Sequence, residues 1–327
     1  MSFQIAFLGS PQAFLPFSET EEYSGFSPAA VIAGHAEDDG VLFPDAKRFA
    51  SLKDALFAFP SLEAAAAAPS FTDDAGEFWE AASLLLSHGK HFFAVIPPSL
   101  PSGSVRDLFS CARDAGCLFL PFLPGIGSDG FRDAKGIVSR RELGEILLAS
   151  EEGVIPGEAA FPAAGFRDAL KEIVLPSLLR LRLLFGELRS VSVLAERSGE
   201  SRTAGRQRPD MVTMQLRFVS GPASSVFFRP EASGSSAALT ITGDEDRFTF
   251  DPSRDAEPED DGYYTEFSPV RNGTEFDRAF QDFLLALREE DPRDSLPAEA
   301  LLYADAVRYA EAAASSALSE GKMVYLD

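Results

Sequence analysis

The sequence predicts two linked domains, a parallel α/β domain followed by an α+β domain with an open, mostly antiparallel sheet. Three observations carry this. Apolar strand-like runs alternate with amphipathic helical runs as far as about residue 124, the pattern then changes to several short alternating strands, and two long helical segments close the chain. Alternation with short connections implies right-handed βαβ crossovers and a parallel sheet. A length of 327 residues suits about two domains, here with boundaries at 1–124 and 125–327.

In the first domain QIAFLGS (Gln4–Ser10) is an apolar run ending at glycine, and PAAVIAGH (Pro28–His35) is a second. SLKDALFAF (Ser51–Phe59) has helical spacing. LEAAAAAP (Leu62–Pro69) is ambiguous: polyalanine favours helix by propensity, but its place between two helical segments and its closing proline favour a buried strand. Asp73–Gly89 is an amphipathic helix stopped by glycine, HFFAVI a strand, Ser102–Gly116 another helix stopped by glycine, and CLFLPFLP (Cys117–Pro124) another strand.

Beyond residue 125, Arg140–Leu148 and Phe166–Phe185 read as helices. Ser190–Glu196, Asp210–Ser220, Ser224–Pro230, Ala237–Asp244 and Arg247–Asp251 read as an antiparallel meander joined by Gly/Ser/Pro turns. The acidic, proline-bearing Asp251–Gly262 reads as a mobile surface loop, without the ligand spacing of a calcium loop. Glu275–Arg288 and Pro297–Leu318 are helices, and KMVYLD is a last short strand.

Charge narrows the functions. Lys plus Arg total 29 against 51 for Asp plus Glu, a formal charge of -22, which repels nucleic acid and anionic membranes. No apolar run approaches the roughly 20 residues of a membrane span. MSFQIAFLGS lacks a basic n-region and a long apolar core, and reads as a first strand rather than a leader. Cys111 and Cys117 have no histidines nearby to complete a zinc site, and read as reduced thiols around a helix end. The expected location is the cytoplasm.

The order and spacing of QIAFLGS, LSHGKHFFAVIPP, RRELGEI, LRLLFGELRSVSV, ITGDEDRF and the C-terminal FDRAFQDFLLAL…YADAVRYAEAAASSALSEGKMVYLD resemble the Gfo/Idh/MocA family of NAD(P)-dependent oxidoreductases. The resemblance implies a Rossmann-like, NAD(P)-binding-fold first domain. It implies a second domain whose sheet carries substrate and forms a homodimer or hetero-oligomer interface, with a small-molecule ligand. It also implies a Glu-Lys-Pro at the end of the strand that follows Gly89-Lys90-His91, and an Asp and a His on the long helix. Here Val95, Ile96 and Pro97 occupy the first set, and the second falls near Leu179 and Pro176. The histidines, His35, His88 and His91, all lie in the first domain, so none can serve in the second. The implied catalytic Lys and His positions are therefore apolar, and no catalytic residue is assigned.

The phosphate turn departs as well. A dinucleotide fingerprint is G-x-G-x-x-G; Gly9 is present, but Pro11 and Phe14 hold the second and third glycine positions and Pro16 disturbs the following helix. An acidic residue should close the second strand, where Gly34 or His35 stands, with Glu37 and Asp38 just beyond. If a nucleotide binds, the candidate contacts are Gly9, Ser10, Gln12, His35, Pro69 and Pro97. Turn and loop roles explain Gly9 and His35 more simply, and packing explains Trp79. Arg180 and Arg182 on the long helix suit either an anionic ligand or salt bridges to surface acids, the latter being simpler. Arg197, Arg202, Arg206 and Arg208 form a basic loop that either docks on an acidic partner or stays solvated.

Three classes of function follow: a binding or regulatory protein that has kept the fold and lost the chemistry, an active NAD(P)-dependent oxidoreductase on a sugar or cyclitol derivative using non-standard residues, and a structural subunit of a hetero-oligomer.

Overall fold

The computed structural model describes residues 3–9, 26–32, 45–68, 71, 74–123, 125–155, 165–197, 208–230, 237–251, 271–289, 291 and 298–326. The chain divides into two compact units, one formed by Met1–Phe122 with Arg271–Leu301, the other by Leu123–Val270 with Leu302–Asp327. The stretch 271–301, placed in the second domain by sequence reading, thus counts with the first unit.

The first unit is built on six parallel strands in the order β3-β2-β1-β4-β5-β6: β1 Phe3–Leu8, β2 Phe26–Ile32, β3 Lys47–Phe49, β4 Ala64–Ala67, β5 His91–Ala94 and β6 Phe119–Pro121. Among the described residues three helices connect them: α1 Leu52–Ala58, α2 Ala75–Ser87 and α3 Ser102–Ala115. The Ser51 hydroxyl caps α1, the Asp74 carboxylate caps α2, and Gly116 in the left-handed region ends α3.

The alanine run is β4, not a helix, and all four residues are fully buried. Its neighbours explain why. Ala66 pairs with Phe7 of β1 on one side and Phe93 of β5 on the other. Helix α6, Arg271–Ala286, lays Phe280 against both, with ring centroids 6.2 Å from Phe7 and 5.5 Å from Phe93. A strand of methyl groups leaves the volume those rings fill, so packing overrides helix propensity. The other sheet face is aromatic too: Phe92 stacks on Phe119 and meets Phe78 of α2.

The second unit carries a seven-stranded sheet in the order β12-β11-β7-β10-β9-β8-β13. Its strands are β7 Ile146–Ile155, β8 Leu188–Glu196, β9 Met211–Phe218, β10 Ala223–Pro230, β11 Ala238–Gly243, β12 Arg247–Phe250 and β13 Val324–Tyr325. Among the described residues only β7 and β10 pair in parallel, so the sheet is open and mostly antiparallel. Its helices are α4 Asp129–Ser139, α5 Phe166–Phe185 and most of α7 Ala298–Leu318.

Two expectations are corrected. Arg140–Leu148 is not a helix: α4 stops at Ser139, Arg141 and Gly144 adopt positive φ, and the chain enters β7 at Ile146. Apolar spacing in RRELGEI imitates a helix, but Gly144 breaks it and the Asp244 carboxylate accepts the Glu145 N–H at 2.7 Å. Nor do strands β8 to β12 form an uninterrupted meander, because β7 inserts between β10 and β11.

The C-terminal turn seals one sheet edge. The Ser316 hydroxyl accepts the Val193 N–H of β8 at 2.9 Å and donates to the Lys322 carbonyl at 2.7 Å. An edge amide is thereby satisfied where β13 is too short to reach it.

Candidate functional site

In an open α/β sheet, ligands sit beyond the carboxyl ends of the strands, where the strand order reverses. In the first unit that point lies at β1, between β2 and β4. Gly9 stands at its end with φ +95°, its N–H donating to the Ile32 carbonyl at 3.0 Å. A Cβ on Gly9 would lie 2.8 Å from Phe71 Cα and 2.9 Å from Phe71 N. Chain packing alone thus demands glycine there. Ser10, Gln12, His35 and Pro69 lie outside the described residues, as do Pro11, Phe14, Pro16, Gly34, Glu37 and Asp38.

Just past β5 come Val95, Ile96 and Pro97. Ile96 is 4% exposed, and the Pro97 carbonyl accepts the Leu100 N–H at 3.0 Å, closing a tight turn. This strand end presents alkyl groups and no proton donor on its side chains. At the described part of this sheet end, Gly9 packs against the backbone of Phe71 and the side chains of Val95, Ile96 and Pro97 are apolar.

The basic residues at the start of β5 lie at the opposite end of the sheet. Lys90 Nζ donates to the Pro60 carbonyl at 3.1 Å, and His88 Nδ1 hydrogen-bonds to the Leu84 carbonyl at 2.8 Å. His91 Nδ1 accepts the Leu118 N–H at 3.0 Å. All three are structural. The Cys117 thiol is buried between the Leu86 and Ala112 carbonyls, and burial pushes its pKa up to about 11, away from reactive thiolate. Among the described residues no group of His, Cys, Asp or Glu is arranged to hold a metal ion.

In the second unit, α5 is buried on nearly all sides, yet carries charge along its length. Five of the charges have partners. Lys171 pairs with Asp168 at 2.9 Å, Glu172 with Arg208 at 3.6 Å, and Arg182 with Asp305 at 3.3 Å. Arg180 pairs with Glu151 of β7, whose Oε1 also accepts the Ser177 hydroxyl at 2.6 Å. Arg180 and Arg182 therefore make salt bridges, but the partner of Arg180 is a core residue 2% exposed rather than a surface acid. Of the basic loop, Arg197 lies over the Phe166 ring at 5.2 Å and Arg208 meets Glu172; Arg202 and Arg206 lie outside the described residues.

Pro176 sits inside α5, and Leu179 is fully buried. Helical periodicity puts Glu172, four residues before Pro176 and seven before Leu179, on their face. Sequence reading did not single out Glu172, although that spacing was available to it. Glu151 was missed because the first residues of its strand were read as the end of a helix, Arg140–Leu148, and the rest was given no element.

No protein-family profile matches the sequence, and no curated protein matches it. Solved structures do. A probable dehydrogenase from Thermotoga maritima superposes with a TM-score of 0.76 at 16% identity, covering 99% of both chains. A putative myo-inositol dehydrogenase from Sinorhizobium meliloti gives 0.74 at 15% identity over 100% of both. The fold is that of the Gfo/Idh/MocA oxidoreductases. An inositol dehydrogenase homolog from Azotobacter vinelandii, solved with NADH and myo-inositol, gives 0.73 at 14% identity over 100% of this chain and 98% of its own. At such identities the Gfo/Idh/MocA likeness is one of fold, and function has to be argued from the residues. Among the described residues no helix is long and apolar enough to cross a membrane.

Proposed function

We propose that this chain uses the oxidoreductase fold as a cytoplasmic binding, regulatory or partner subunit and does not transfer hydride. One observation carries the reading: the three positions at which the resemblance implies proton-handling side chains hold Ile96, 4% exposed, Leu179, fully buried, and Pro176, inside a helix. A positioned acid or base contributes about 10²–10⁴-fold in rate, and none of these residues can supply one. Gly9 adds support, since packing against Phe71 accounts for a glycine there without a nucleotide.

The partner surface in this reading is the open face of the second sheet. It is lined by polar residues such as Ser150, Ser225, Gln215 and Thr213 and by the Arg229–Glu152 ion pair, with Leu148, Phe227 and Leu194 exposed among them. Exposed apolar groups within a polar surround suit a homodimer or hetero-oligomer contact. In light scattering the protein is expected to run larger than one chain, and Phe227→Arg to return it to the mass of one chain. A wild-type protein of single-chain mass at every concentration would remove this surface from the proposal.

A second reading is favoured by Glu172. It shares the α5 face of Pro176 and Leu179 and is held by Arg208, so it is the available acid–base group if the chain is an active oxidoreductase on a sugar or cyclitol derivative. Incubation with NAD⁺ or NADP⁺ and a panel of inositols and sugars separates the two readings. Reduced nicotinamide formed by the wild type and lost in Glu172→Gln supports the enzyme; no turnover with any pair supports the partner subunit.

A further inference from the structure

The histidine that opens β5 does more than fill a turn. The β5–β6 ladder opens with Phe92 paired to Phe119, and the Phe92 N–H donates to the Leu118 carbonyl at 2.8 Å. The N–H of Leu118 itself is met by a side chain, His91 Nδ1, at 3.0 Å. A backbone N–H can only donate, so the bond fixes the ring: Nδ1 carries a lone pair and, in the neutral ring, Nε2 carries the proton. Meanwhile the His91 N–H donates to the Glu63 carbonyl at 3.0 Å, tying the same residue to the entry of β4. His91 thus ties together the amino ends of three neighbouring strands, to β4 through its backbone N–H and to β6 through its half-buried imidazole.

We propose that His91 is an acid-operated latch: a proton taken up at Nδ1 replaces the lone pair with a second donor, breaks the bond to Leu118 and frees the start of β6 from β5. The charged groups acting on the ring are the carboxylates of Glu63, just before β4, and Asp291, beyond α6, both of which favour the proton. Lys90 alongside points its ammonium to the Pro60 carbonyl. Burial outweighs the two carboxylates and holds the ring below the ordinary imidazole value of 6.5. The sign follows. Above pH 6.5 folded and unfolded rings are both neutral and the latch is shut; as pH falls below 6.5 the unfolded ring takes its proton first, so stability is lost with acid.

Hydrogen exchange at the Leu118 amide of the full-length protein tests this. Corrected for intrinsic exchange, its protection is expected to fall by up to about tenfold for each pH unit below 6.5, levelling off once the folded ring itself takes the proton. In His91→Asn, whose Oδ1 stands near the Nδ1 position but does not titrate, the profile should be flat. Parallel profiles in the two proteins would overturn the latch. If His91→Asn does not fold, the ring ¹⁵N shifts of the wild type at neutral pH decide instead: a lone-pair Nδ1 supports the proposal, and a protonated Nδ1 refutes it.

Discussion

Glu151→Ala is expected to destabilise the second unit by about 3–5 kcal/mol. Removal of this carboxylate leaves Arg180, 7% exposed, as an uncompensated charge between β7 and α5. It also strips the Ser177 hydroxyl of its acceptor. The cost arises from the orphaned charge and not from the strength of the pair, because taking both ions out of water already absorbs most of their attraction. The double variant Glu151→Leu with Arg180→Leu should therefore recover most of the loss. Thermal or urea unfolding of the wild type, the two single variants and the double variant measures this coupling. If the double variant is as unstable as Glu151→Ala, the pair contributes through packing that leucines cannot replace.

Phe93→Ala is expected to cost about 3–5 kcal/mol in the first unit. The Phe93 ring is fully buried and its centroid lies 5.3, 5.5 and 5.7 Å from those of Phe276, Phe280 and Phe283 on α6. It stands beside an alanine strand that has no bulk with which to fill the gap. Urea unfolding followed by circular dichroism checks the value. A loss near 1 kcal/mol or less would mean that α6 collapses into the space.

These two sites differ in how legible they were. The parallel sheet was readable because its strands are continuous apolar runs, and even the alanine strand followed from its position between helical segments. Its structural reason, the aromatic triplet of α6 at positions 276, 280 and 283, lies some 200 residues away in sequence, and no local pattern connects the two. Strand β7 was hidden for a different reason. Its first residues continue a helix-like spacing from Arg140, and Glu151 breaks the apolar alternation expected of a central strand. That carboxylate is tolerated there only because α5 brings Arg180 and Ser177 to it.

Site residues were legible as identities more than as contacts. The apolar side chain at 96 and the missing histidine in the second domain are readable from the sequence alone. The close approach of Phe71 to Gly9, which gives that glycine a reason independent of any phosphate, is a tertiary contact with no sequence signature. Likewise Glu172 drew no notice among 51 acidic residues until the helix showed which of its neighbours share a face.

The central claim is that the fold has outlived its nicotinamide chemistry. Calorimetric titration of the purified full-length protein with NADH and, separately, with NADPH tests it most directly. The account predicts no saturable heat with either dinucleotide in the micromolar range. Stoichiometric micromolar binding of either one would contradict it and put the oxidoreductase reading first.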